Sequence, residues 1–89
     1  MAYSRWSFSN WYIFWHTLER PSDKKEDQKL AVWHVSDKRF PVFSYTQLKQ
    51  VQSIEDLKQL LQLDISDEDY QEALVYIRQW IKDVEEELG

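Results

Sequence analysis

The pattern of the chain changes once, at Tyr45, and does not change back. Upstream, β-branched and aromatic residues alternate with a period of two, the spacing of a pleated strand. Downstream, Leu, Gln, Lys, Glu and Asp take over, and apolar residues recur every three or four positions, the spacing of a helix. Strands first and helices afterwards predict an α+β domain rather than the alternating units of a parallel sheet. With 89 residues the chain has room for a single domain, 1–89, around one core.

Three strands are expected, over about 11–18, 30–35 and 40–45. The first, Trp11-Tyr12-Ile13-Phe14-Trp15-His16-Thr17-Leu18, has hardly a helix-favouring side chain. One of its faces carries Trp11, Ile13, Trp15 and Thr17 and the other Tyr12, Phe14, His16 and Leu18, so both need a cover, either the protein's own helices or a partner. Ser7, Ser9 and Asn10 upstream read as a bend. The polar stretch over about 19–29, with Pro21 and the run Lys24-Lys25-Glu26-Asp27, reads as a mobile loop. Ser36-Asp37-Lys38-Arg39 reads as a turn that pairs Val35 with Phe40, Trp33 with Val42 and Val32 with Phe43. Pro41 has no amide hydrogen to give to a ladder, which places the third strand at a sheet edge. The result is a three-stranded antiparallel meander of order 1-2-3.

After a helical turn near Thr46–Val51, a short helix is expected over about 53–62, with Ser53 as its N-cap and Ile54, Leu57, Leu60 and Leu61 as its stripe. The long C-terminal helix, about 67–88, is the clearest element. Ser66 can cap it, Asp67, Glu68 and Asp69 favour its positive end, and Ile65 and Tyr70 stand where a hydrophobic staple packs. Tyr70, Leu74, Ile77, Ile81, Val84 and Leu88 form its apolar stripe, which predicts packing across one sheet face.

Several chemistries are excluded by composition. One glycine and no cysteine leave no P-loop, dinucleotide fingerprint, zinc ribbon or cysteine nucleophile. His16 and His34 are the only imidazoles, and the sequence shows no nucleophile or paired acid beside either, so no catalytic, cofactor-binding or metal-binding residue is assigned and the chain is expected not to be an enzyme. Without a basic start followed by an apolar run, and without a membrane-length apolar segment, a cytoplasmic protein with no membrane partner is expected.

Charge and aromatic content carry the functional reading. Positions 1–45 balance at +2 and positions 46–89 at −7, within a net charge of −5. That distribution argues against nucleic acid as the main partner, because a phosphate-binding surface needs a broad basic footprint. Aromatic residues make up 16% of the chain, more ring surface than one amphipathic helix can cover. The expectation is a non-enzymatic protein-interaction module that binds another protein or itself through an aromatic sheet face, with Trp6, Trp11, Tyr12, Phe14, Trp15 and Trp33 as candidate contacts. The alternative is an acidic inhibitor, of the phage or mobile-element type, that competes with nucleic acid for a basic surface. Glu85, Glu86 and Glu87 are its candidate residues, because acids in a last helical turn oppose the helix dipole and lack the structural reason of those in the first turn. A third reading, single-stranded nucleic acid stacked on the sheet, draws on Arg5, Arg20, Lys24, Lys25, Lys29, Lys38 and Arg39.

Overall fold

The computed structural model describes residues 5–8, 10–16 and 24–88, with backbone alone for 5–8 and 16. Four strands, β1 (Arg5–Phe8), β2 (Trp11–His16), β3 (Lys29–His34) and β4 (Val42–Ser44), form one antiparallel sheet in the order β1-β2-β3-β4. The helices are α1 (Tyr45–Lys49), α2 (Ile54–Leu61) and α3 (Asp67–Leu88). The α+β class, the three expected strands in meander order, the short helix and the long C-terminal helix are all present, and Pro41 precedes the edge strand β4 as its missing amide hydrogen requires. An additional strand, β1, lengthens the meander. Of the residues read as a bend, Ser7 instead pairs within β1, opposite Tyr12, Asn10 lies in a turn before β2, and Ser9 lies outside the described residues.

β2 and β3 pair along their whole lengths, from Trp11 opposite His34 to His16 opposite Lys29. The β3–β4 register differs from the expectation. Ala31, not Trp33, stands opposite Val42, and Leu30, not Val32, opposite Phe43. The connection is longer than a four-residue turn because Phe40 takes a left-handed φ of 51° and Pro41, not Phe40, continues the pairing by accepting from Val32 N–H at 3.2 Å. A displacement of two residues preserves the side-chain period, so every residue keeps the face that alternation assigned to it.

β4 passes directly into α1, where the Ser44 hydroxyl and the Gln47 side chain close a reciprocal capping box. α2 is capped by Ser53, whose hydroxyl accepts from Asp56 N–H, and ends on Gln62 in the left-handed region at φ 54°. Ser66 caps α3 by accepting from Asp69 N–H at 3.2 Å. Tyr70 fixes the α2–α3 joint, because its hydroxyl donates to Leu63 O and accepts from Leu63 N–H at 2.9 Å.

The helices cover one sheet face. Trp11, Ile13 and Trp15 of β2, Leu30 and Val32 of β3 and Phe43 of β4 pack against Leu48, Leu57, Leu61 and the α3 stripe of Tyr70, Ala73, Leu74, Ile77, Trp80 and Val84. Each fully buried aliphatic side chain of this set contributes about 1.5–3 kcal/mol of transfer free energy. Trp80 meets Trp15 edge-on at 6.1 Å and Tyr45 at 6.3 Å. The expected mobile loop falls partly outside the described residues, as do positions 17 and 18 of the first expected strand. Its described part is anchored: Lys25–Asp27 is a 3₁₀ turn, Gln28 Oε1 accepts from Trp15 Nε1 at 2.8 Å, and Gln28 O accepts from Tyr45 N–H.

Candidate functional site

Alternation along the strands sends Tyr12 and Phe14 of β2, Lys29, Ala31 and Trp33 of β3 and Val42 and Ser44 of β4 to the face opposite the helices. Among the described residues no helix packs there. Phe40 joins this face from the β3–β4 loop, its ring meeting Trp33 edge-on at 5.0 Å, and Phe14 meets the same indole at 4.9 Å. Ala31 stands between Phe14 and Val42 in the register and is fully buried. Around this centre the surface stays open: Tyr12 is 46%, Phe40 57% and Val42 38% exposed. Trp33 Nε1 is enclosed and has no acceptor, an unpaired donor within the aromatic row.

The residues expected at an interface therefore divide. Tyr12, Phe14 and Trp33 share the open face. Trp11 and Trp15 do not; they are 0% and 5% exposed, on the helix-covered face, and their indole N–H groups are satisfied by Asp69 O at 2.9 Å and by Gln28. Alternation along β2 shows two aromatic faces but not which one α3 covers. Trp6 is a β1 residue whose side chain lies outside the description. Phe40 and Val42 are exposed members of the face beyond the expected residues, and a bulky aromatic before Pro41 is the only local signal for them.

The C-terminal acids are not a uniform triplet. Glu85 is half-buried, paired with Lys49 Nζ, and accepts from Tyr45 O–H at 2.8 Å. The Lys49 ammonium, and then the Tyr45 hydroxyl, hold its carboxyl below the usual range, and the same contacts hold Lys49 above its own. This pairing supplies the structural reason that dipole reasoning lacked, and it leaves only Glu86 and Glu87 of the triplet on the exposed surface. A second ion pair locks the β3–β4 loop. Arg39 grips Asp37 through Nε at 2.9 Å and Nη2 at 3.1 Å and donates to Leu61 O at 2.6 Å, an orphan carbonyl at the end of α2. Hydrogen bonding from Arg39 holds the enclosed Asp37 carboxyl below its ordinary value. Lys58 and Asp67 pair at 2.6 Å across the α2–α3 joint.

A polar line runs from the sheet to the start of α3. His34, 5% exposed, lies edge-on to Trp11 at 4.8 Å. Its Nε2 is 3.1 Å from Asp69 Oδ2 and its Nδ1 is 2.7 Å from Ser36 Oγ and 3.1 Å from Ser36 N. Among the described residues no group of three His, Asp or Glu side chains could hold a metal ion, and no helix is long and apolar enough to cross a membrane. No family model, curated protein or solved structure matches the chain.

Proposed function

We propose that this chain is a non-enzymatic protein-interaction module that binds another protein, or a second copy of itself, through the sheet face opposite its helices. The observation that carries the reading is the aromatic row of Tyr12, Phe14, Trp33 and Phe40 on a face over which no described helix lies. Its make-up supports that use. Interface centres favour Trp, Tyr and Phe and are depleted in charge, and of the described side chains on this face only Lys29 carries one, at one end of β3. Edge-on packing of Trp33 between Phe14 and Phe40 holds the rings in place before a partner arrives, which lowers the entropy lost on binding. The acidic-inhibitor reading has less support, because the most enclosed acid of its triplet is already paired with Lys49.

The test is a double substitution, Tyr12→Ser with Val42→Lys. Both side chains are exposed, so circular dichroism and thermal unfolding should stay close to those of the parent. Sedimentation of the parent over a wide concentration range, and capture of partners from its native host, should each detect association that the double variant loses. A parent that stays monomeric, together with captured partners that bind the variant equally well, refutes the reading.

A further inference from the structure

We propose that Ser36 is an acyl-accepting nucleophile, activated by His34 and positioned through Asp69, whose substrate class is small activated carboxylic esters and thioesters. Proton placement follows from the partners. Asp69 has only acceptor oxygens when ionised, so its contact of 3.1 Å requires the imidazole proton on Nε2. Ser36 N–H donates to Nδ1 at 3.1 Å, so that nitrogen carries a lone pair, and the Ser36 hydroxyl stands 2.7 Å from it. Nucleophile, base and orienting carboxylate are thus linked by two contacts within hydrogen-bond reach, the connectivity by which a weak hydroxyl becomes reactive.

Each member is held by something else. Asp69 is fixed by the Ser66 cap on its amide, by Asn10 Nδ2 at 3.4 Å from its carboxylate, and by its own carbonyl on Trp11 Nε1. Trp11 also packs edge-on against the imidazole, which is 5% exposed. Ser36 lies in a turn closed by Asp37 N–H donating to His34 O at 2.8 Å. The hydroxyl and the amide of Ser36 share the single Nδ1 lone pair, so both atoms of the serine are tied to the imidazole. The ring is buried while Ser36 is exposed, so an acyl donor can reach the hydroxyl directly from solvent.

The step is a transfer without turnover. The Ser36 Oγ–H proton moves to Nδ1, Oγ bonds to the acyl carbon, and the bond from that carbon to the leaving oxygen or sulfur breaks. The leaving group takes the electron pair, and the proton from Nδ1 follows it, regenerating neutral His34 and leaving an O-acyl serine. Nothing in this step uses the outer sheet face, so it stands apart from the reading above.

The full chain is treated with p-nitrophenyl acetate and followed by nitrophenolate release and by peptide mass spectrometry. The expected result is one equivalent released in a burst and one acetyl group on Ser36. Ser36→Ala should abolish both. His34→Gln should slow the burst about a hundredfold or more, the scale of a positioned general base. Because His34 is buried and its loss could unfold the chain, Asp69→Asn provides a second measurement. It should slow the burst at least tenfold and displace its pH–rate profile while the amplitude stays at one equivalent and the circular dichroism is unchanged. Acetylation confined to lysines or the amino terminus, or a Ser36 burst that keeps its rate and pH profile in Asp69→Asn, overturns the proposal.

Discussion

Tyr70→Phe is a small change with a large expected cost. The ring is 1% exposed, so phenylalanine fills the same space and keeps the same apolar contacts. Only the hydroxyl is lost, yet that oxygen serves both the amide and the carbonyl of Leu63. Removing it leaves a part-buried N–H and C=O without their partner, and each orphaned group costs about 1–3 kcal/mol, reduced where water can reach the half-exposed Leu63. A loss of about 2 kcal/mol follows. With a urea m-value near 1 kcal/mol/M for so small a domain, the midpoint should fall by about 2 M, and the melting temperature should fall by about 8–16 °C. Tyr12→Phe is the matched control. It removes the same atom from an exposed ring on the other sheet face and should shift stability by less than about 0.5 kcal/mol. Equilibrium urea unfolding followed by circular dichroism measures both. If Tyr70→Phe and Tyr12→Phe unfold at the same urea concentration, the α2–α3 joint is not held by this hydroxyl.

Three further outcomes are expected. Gln62→Gly should stabilise the chain by about 0.5–1 kcal/mol in the same urea assay, because glutamine at φ 54° bears a steric penalty that glycine avoids. Asp37 and Glu85 are both more acidic in the folded chain than in the unfolded one, so their stabilisation is fully present above the ordinary carboxyl values and is lost as pH falls through the depressed folded ones. Urea midpoints taken from pH 6 down to pH 2 should therefore fall less steeply for the Asp37→Asn, Glu85→Gln double variant than for the parent, and parallel curves would refute the assignment. Trp15→Phe should leave the acrylamide-quenchable part of the fluorescence unchanged, because Trp15 is 5% exposed beneath Trp80, whereas Trp33→Phe should reduce it.

What the sequence made legible was local. Ser66, the acids behind it and the stripe from Tyr70 to Leu88 defined α3 because a cap and a helical period are both written within a few residues. Pro41 marked the edge strand by the bond it cannot make. The assignment of faces was not local. Trp11 and Tyr12 are adjacent rings on one strand, and their exposures of 0% and 46% are decided by where a helix more than fifty residues later comes to rest. The β3–β4 register was displaced because nothing about Phe40 announces a left-handed backbone, a region that glycine or asparagine would have signalled. The Ser36–His34–Asp69 line was hidden for the same reason as the faces: the serine is two positions from the histidine, but the carboxylate is 35.

The two proposed properties arise from opposite sides of one strand. In β3, Trp33 points away from the helices into the aromatic row, and His34, the next residue, points beneath them toward α3. Alternation keeps them apart, so each can be removed without the other. Tyr12→Ser with Val42→Lys changes the open face and leaves His34, Ser36 and Asp69 with their partners, whereas Ser36→Ala leaves the open face as it was. Substitutions with no shared partner act additively within a few tenths of a kcal/mol. Association and acylation should therefore be lost separately, and a face variant that also lost the acetylation burst would mean that the sheet, not the Ser36–His34–Asp69 line, controls the reactivity of Ser36.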